Sequence, residues 1–148
     1  MMPGFPSTIS VLFFSAFASK LVLQIKGYAM SKFLIHIHSG PDLRNKLTLG
    51  LLVAATAIQK GHSVEVFFAA DGVHALNSKE GEVIGEGTGD ANLHLKALNN
   101  ANVKMFVSGM SAKARGYTDN LLEGFNASFA MPDKLLERSL EADIVLCY

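Results

Sequence analysis

The sequence contains a single cysteine and no tryptophan, and no stretch of it carries a block of like charges. With Cys147 alone no intramolecular disulfide can form, which excludes a disulfide-stapled secreted scaffold and predicts a reducing, cytoplasmic environment. The 13 Lys and Arg residues equal the 13 Asp and Glu residues in number and are dispersed along the chain. We therefore expect neither a nucleic acid nor an anionic membrane as a partner.

Long hydrophobic runs are also missing from the sequence. The apolar stretch at 11–18 is far shorter than the roughly 20 residues that a membrane-spanning helix needs. The chain has 148 residues, of which 49% are hydrophobic. This is enough for one domain with a proper core and too little for two ordinary domains.

Residues 1–30 differ from the rest, because they contain no acidic residue and match no helix or strand pattern. Three explanations are open: a start codon assigned too early, a signal peptide cleaved after Ala16-Phe17-Ala18, or a genuine extension. We favour the first, with Met30 as the true start, because the first strand pattern begins at Phe33 and no Lys or Arg precedes the apolar run. The predicted single domain is 31–148.

A chain that starts at Met30 is therefore expected to fold as stably as the full chain. Chemical denaturation of the two proteins, followed by circular dichroism, measures the difference in their free energies of unfolding. A loss of more than about 1 kcal/mol is a large fraction of the stability of a marginal domain, and it would show that the leader is a packed part of the fold.

Strand and helix patterns alternate along the predicted domain, without hairpin signals between them. The first helix has apolar residues at three- and four-residue steps from Leu43 to Ile58, with Asp42 or Ser39 to cap its start and Gly61 to end it. Such alternation predicts a three-layer α/β/α sandwich with a mainly parallel sheet. The predicted strands are 33–38, 64–69, 103–107 and 143–148, and the predicted later helices are 90–99, 119–123 and 132–141.

The segment 77–90 holds four glycines and three glutamates. Its Gly85-x-Gly-x-Gly89 spacing is similar to that of a phosphate-binding loop. It lacks the Lys-Ser/Thr pair of such loops, however, and its glutamates would repel phosphate. We interpret the segment as a mobile surface loop.

The stretch Val103 to Thr118 carries the functional prediction. It reads VKMFVSGMSAKARGYT, a short apolar strand that breaks at Ser108-Gly109 into a polar, cationic loop. In an open α/β sheet, ligands bind to the loops at the carboxyl ends of the strands. We therefore expect the functional site at this loop.

This stretch, together with FLIHIHSGP at 33–41, GHSVEVFFAADG at 61–72 and ADIVLCY at 142–148, resembles the DsrE/DsrF-like family of small sulfur-relay proteins. The resemblance covers roughly residues 31–148. It implies about five strands, a trimeric or hexameric homo-oligomer and a sulfur-relay protein as a partner. Members that carry sulfur as a persulfide have a cysteine at the end of the central strand, where this chain has Ser108.

A parallel sheet brings the loops after the first, second and central strands to one edge. Lys113 and Arg115 could hold a small anion there, or else both could be solvated or paired with Asp119 or Glu123. We expect a ligand-binding site without a cofactor or a metal ion. The candidate ligand-binding residues are His38, Asp71, Ser108, Gly109, Met110, Ser111, Lys113 and Arg115.

No residue is assigned a catalytic role. Ser108 could act as a nucleophile only with a base such as His36 or His38 in reach, whereas a serine at a strand end more often bonds nearby backbone groups. The two histidines project to the same side of their strand, but two imidazoles alone do not specify a metal site. Cys147 lies in an apolar terminal strand, where we expect a packed and inert thiol.

Three functions remain, in order of preference. The first is a non-catalytic small-ligand-binding or accessory member of the family, because the hydroxyl of Ser108 cannot hold sulfane sulfur. The second is a persulfide carrier that uses Cys147 instead. The third is a serine hydrolase-like enzyme that uses Ser108.

Overall fold

The computed structural model describes residues 29–148 of the chain. The predictions about the leader, including its signal-peptide and early-start explanations, lie outside the described residues. Within the described part, no helix is both long and apolar enough to cross a membrane.

The centre of the fold is a five-stranded sheet in which every pair of neighbouring strands is parallel. Its strand order is β6-β5-β2-β1-β7, and β3 and β4 form a separate antiparallel hairpin. The strands are β1 (Lys32–Ile37), β2 (Ser63–Phe68), β3 (Ile84–Gly85), β4 (Gly89–Asp90), β5 (Lys104–Ser108), β6 (Ala127–Ala130) and β7 (Ile144–Cys147).

Helices cover both faces of the sheet, which confirms the predicted three-layer α/β/α sandwich. The α-helices are α1 (Arg44–Gln59), α2 (Ala91–Asn100), α3 (Gly109–Ala114) and α4 (Pro132–Glu141). Short 3₁₀ helices lie at Pro41–Leu43, Ala70–Leu76, Ser78–Glu80 and Asp119–Leu122.

The two faces of the sheet are covered unequally. Side chains from α1 and α2 pack with one face to form the main core, which includes Leu51, Leu98 and Met105. The opposite face has a small cluster, Leu34, Phe67, Phe106 and Ala130, with α4 above it. No residue of α4 is fully buried, so this second layer is thin.

An ion pair fastens α4 to the thin side of the sheet. Arg138 Nη1 lies 3.2 Å from Glu65 Oε1, and both side chains are mostly buried. Arg138 also contacts Glu141, which pairs with Lys32 of β1 at 3.2 Å. The hydrogen bond from Lys32 and the charge of Arg138 lower the pKa of the exposed Glu141 carboxyl. Charged groups as well as apolar contacts therefore join the helix to the sheet.

Parallel pairing places the carboxyl ends of all five strands at one edge, and the loops after β1 and β2 touch there through two glycines. An added Cβ at Gly72 would lie 2.2 Å from the carbonyl oxygen of Ile37, and one at Gly40 would lie 2.7 Å from that of Asp71. Only glycine allows the two backbones to approach so closely.

Two predictions about the first half of the domain are wrong. Neither Asp42 nor Ser39 caps α1, because a 3₁₀ turn that starts at Pro41 runs directly into the helix and leaves Leu43 at its N-cap. The segment 77–90 is not simply a mobile loop. The β3–β4 hairpin within it bonds to α1 through Thr88 and Thr48, whose hydroxyl oxygens are 2.5 Å apart. Gly61 follows the end of α1 with a left-handed φ of 84°, as predicted.

Two further differences concern the central stretch. The strand includes Ser108 as its last residue, and the predicted cationic loop begins with the short helix α3. Ser108 caps this helix, and two alanines within it favour the helical conformation. Strand β6, which pairs with β5 at the sheet edge, was not located from the sequence because four residues are too few for a periodic signal.

Candidate functional site

Two polar contacts join the loop after β2 to α3. Arg115 donates two hydrogen bonds to Asp71 Oδ1, from Nε at 3.1 Å and from Nη2 at 2.7 Å. The hydroxyl of Ser111 accepts a hydrogen bond from the backbone N–H of Ala70 at 2.9 Å. Three predicted site residues, Asp71, Ser111 and Arg115, are therefore brought together.

The ion pair determines the electrostatics of this junction. The hydrogen bond from Arg115 lowers the pKa of the exposed Asp71 carboxyl, and the positive charge of Arg115 adds to the effect. Arg115 also donates from Nη1 to the carbonyl oxygen of Ser111. Since its guanidinium is engaged at three places, Arg115 serves largely to position the loops and has limited capacity for a further anion.

Ser108 is buried at the end of β5, with 8% of its surface exposed. Its Oγ accepts a hydrogen bond from the backbone N–H of Ser111 at 3.2 Å, which is a helix-capping contact. No histidine of the described residues forms a hydrogen bond with this hydroxyl. The side chain therefore has a structural partner and no base.

Gly109 contributes to a pocket on the thin side of the sheet. The pocket has a volume of about 320 Å³ and lies between β5, β6 and the start of α4. Its lining includes Phe106, Ala130 and Met131, with the charged residues Asp133 and Lys134. This mostly apolar pocket directly adjoins the Ser108–Gly109 turn.

The other predicted site residues are more scattered. Met110 and Lys113 are exposed on α3, and Lys113 forms no ion pair with any residue of the described part of the chain. His38 is exposed after β1, where its backbone N–H bonds to the carbonyl of Tyr148. Its ring contacts the ring of His36, with centroids 5.5 Å apart. Within the part of the chain that the structure describes, His38 forms no hydrogen bond with Asp71.

Cys147 is not packed and buried, so the sequence prediction for it is wrong. The cysteine is exposed, and its Sγ lies 3.9 Å from His36 Nδ1 on the neighbouring strand. The cysteine is exposed because β7 is an edge strand and its side chain lies on the thinly covered face of the sheet. The apolar pattern of the sequence alone does not reveal this position. Burial lowers the pKa of His36, and the nearby His38 lowers it further.

A larger cleft was not foreseen from the sequence. It has a volume of about 530 Å³ and lies between the segment after β2 and the segment after α3. Tyr117 is fixed at its side, because its hydroxyl lies 2.5 Å from His74 Nδ1 and accepts from Asn77 Nδ2 at 3.2 Å. Burial raises the pKa of Tyr117. Of the predicted site residues, only Arg115 lines this cleft.

Metal-ligating side chains do not converge within residues 29–148. No group of three or more His, Cys, Asp or Glu residues there is arranged to hold a metal ion. His36 and Cys147 form a pair, and His36 Nε2 is buried without a hydrogen-bond partner.

These features define a small α/β protein with a five-stranded parallel sheet, whose loops after β2 and β5 are joined at the carboxyl edge. A profile of the DsrE/DsrF-like family matches residues 31–148, which is most of the chain. The chain belongs to the DsrE/DsrF-like family, and the resemblance noted in its sequence is confirmed.

Similarity to a solved structure agrees with this assignment. The crystal structure of the ychN protein from E. coli superimposes with a TM-score of 0.66 at 22% sequence identity. The match covers 80% of this chain and 100% of that chain, and at this identity it establishes the fold alone. A search of curated proteins finds no match.

Proposed function

We propose that this chain is a non-catalytic, small-ligand-binding or accessory member of the sulfur-relay family, acting in a reducing cytoplasm. The observation that carries the proposal is the serine at position 108. Its hydroxyl caps α3 at the place where carriers of the family have a cysteine, and a hydroxyl cannot hold sulfane sulfur.

The pocket beside Gly109 supports the ligand-binding part of the proposal. Its volume of about 320 Å³ falls at the lower end of the range of small-molecule sites. It adjoins Ser108, and Met110 and Lys113 project from the helix that follows. The predicted ligand-binding set remains our proposal for this edge, with Asp71 and Arg115 as residues that position the loops.

The test is incubation of the full chain with a low-molecular-weight persulfide, followed by intact-protein and peptide mass spectrometry. The proposal predicts no gain of one sulfur, about 32 Da, in the peptide that contains residue 108 or elsewhere. A persulfide found on any residue of the natural protein would contradict the non-carrier role.

One observation favours a second candidate, a persulfide carrier that uses Cys147. The thiol is exposed, and its Sγ lies 3.9 Å from His36 Nδ1, which is placed to accept the thiol proton. The sulfur of Cys147 would attack the outer sulfur of a donor persulfide, forming a new S–S bond while the donor leaves as a thiolate. No comparable observation favours a hydrolase that uses Ser108.

This second candidate predicts one sulfur on the peptide that contains Cys147. Cys147→Ser should abolish the mass gain, and His36→Gln should slow it several-fold because the proton acceptor is lost. Rates are measured by quenching with iodoacetamide at intervals before mass spectrometry. An unmodified Cys147 after prolonged incubation would eliminate the carrier and leave the first proposal.

We also propose that the protein self-associates, as a trimer or hexamer by family resemblance, through the thin side of the sheet. Two apolar side chains on α4 support an interface there, since Leu136 and Leu140 are 67% and 88% exposed. They lie four residues apart and so form one ridge of the helix. Exposed apolar surface that is contiguous is a feature of interaction sites, and a second copy of the chain would cover this ridge.

Leu140→Asp is expected to reduce the molar mass of the protein in solution at micromolar concentration, because it places a charge in the proposed interface. Multi-angle light scattering measures the mass. Leu93→Asp is the matched control, since Leu93 is 65% exposed on α2, at the other face of the sheet. A monomeric natural protein, or equal effects of both substitutions, would contradict the proposal.

A further inference from the structure

The cleft beside Tyr117 is separate from the Ser108 turn and has the size of a small-molecule site. Its volume of about 530 Å³ lies within the usual range of 300–1,000 Å³ for such sites. Its floor is apolar, because Leu76 and Leu121 are core residues and Phe125 packs against the same core. An apolar floor gives a ligand a surface on which to exclude water.

Polar side chains line the walls of the cleft, namely Asn77, Lys79, Arg115, Tyr117 and Asn120. Asn77 Nδ2 already donates to Glu80 and to the Tyr117 hydroxyl, and Arg115 is engaged by Asp71 and Ser111. The carboxylate among the lining residues is Glu123. Lys79 is exposed and forms no ion pair with any residue between 29 and 148, so its charge is open to a ligand.

Two side-chain pairs connect this cleft to a neighbouring cavity of about 180 Å³. In the pairs Arg115–Asp71 and Tyr117–His74, the first residue lines the cleft and the second lines the neighbouring cavity. That smaller cavity also contains Asp42 and Glu80. Three carboxylates thus line the smaller cavity, whereas one, that of Glu123, lines the cleft.

We infer that the Tyr117 cleft binds a small organic anion, whose carboxylate or similar oxyanion meets Lys79 and the side-chain amide of Asn120 while its apolar part lies over Phe125. An ammonium group and an amide donor match an acceptor-rich group, and a bond to a charged oxygen is stronger than one to a neutral oxygen. The inference goes beyond the proposed function, because the cleft does not include Ser108 or the Gly109 pocket.

The test is an NMR titration of the full ¹⁵N-labelled chain with benzoate, and in parallel with benzamide, which has the same shape without the charge. Benzoate should shift the amide signals of residues 77–79 and 116–125. Benzamide should bind more weakly. Lys79→Gln should weaken benzoate binding roughly fivefold, the effect expected for one partly exposed charge contact.

Lys113→Gln is the control, because Lys113 is also exposed but does not line the cleft, and its benzoate affinity should be unchanged. Three results would overturn the inference: no cleft shifts at millimolar benzoate, equal binding of benzamide, or unchanged affinity in Lys79→Gln. None of these results depends on sulfur transfer, so they are separable from the persulfide experiments.

Discussion

Gly72→Ala should destabilise the domain by about 3 kcal/mol, near the upper end of the cost of overpacking a buried site. The new methyl group would lie 2.2 Å from the carbonyl oxygen and 2.9 Å from the carbonyl carbon of Ile37. Both are backbone atoms of β1, so no side chain can turn aside to make room. The loops after β1 and β2 would have to separate, and Asp71 would move with them.

Gly109→Ala is the matched control, because the nearest atoms to an added Cβ there are 3.8 Å away, an ordinary contact distance. Its free energy of unfolding should change by less than about 1 kcal/mol, in the range of ordinary surface substitutions. Denaturant titration of both variants gives the comparison. If Gly72→Ala is as stable as the natural protein, the close approach of the two loops is wrong.

Ser108→Cys should create a thiol with a pKa below the ordinary value of about 8.5. The Ser111 N–H that now donates to the hydroxyl would donate to the thiolate, and cysteines at such helix starts have lowered pKa values. Burial of the position acts in the opposite direction, and we expect the hydrogen bond from Ser111 and the start of α3 to outweigh it.

The measurement is the rate of iodoacetamide labelling against pH, in a Cys147→Ser background that removes the natural thiol. The Cys147→Ser protein alone should not be labelled, which controls for other reactive groups. A thiol with an unshifted or raised pKa, or one that stays unreactive, would mean that the end of β5 does not favour an anion. The predicted ligand-binding role of Ser108 would then be dropped.

Much of the fold could be predicted because the strongest elements have long or uninterrupted apolar patterns. The α1 helix repeats apolar residues over four turns, and β2 is apolar almost throughout, as expected of a strand covered on both faces. Short elements were missed or misassigned. The stretch after Ser108 was predicted as a loop but forms α3, which the side chain of Ser108 caps. A capping contact between a side chain and a backbone N–H three residues away produces no periodic pattern in the sequence.

The contacts of the candidate site residues were less predictable from the sequence. They depend on which strands lie at the outside of the sheet and on which loops meet at the carboxyl ends of the strands. Arg115 was a candidate anion ligand, but its partner Asp71 lies 44 residues earlier, and only the fold brings the two together. Cys147 is exposed because β7 is an edge strand. The Tyr117 cleft is built from two separate segments whose donors have no common spacing in the sequence.

The proposed loss of the family's carrier function depends on one residue, the serine at position 108. Its most direct test is mass spectrometry of the natural protein and of Ser108→Cys in the Cys147→Ser background, after both are incubated with the same persulfide donor. We expect a gain of about 32 Da on residue 108 of the variant and no gain in the natural protein. A variant that gains no sulfur, or a natural protein that does, would contradict it.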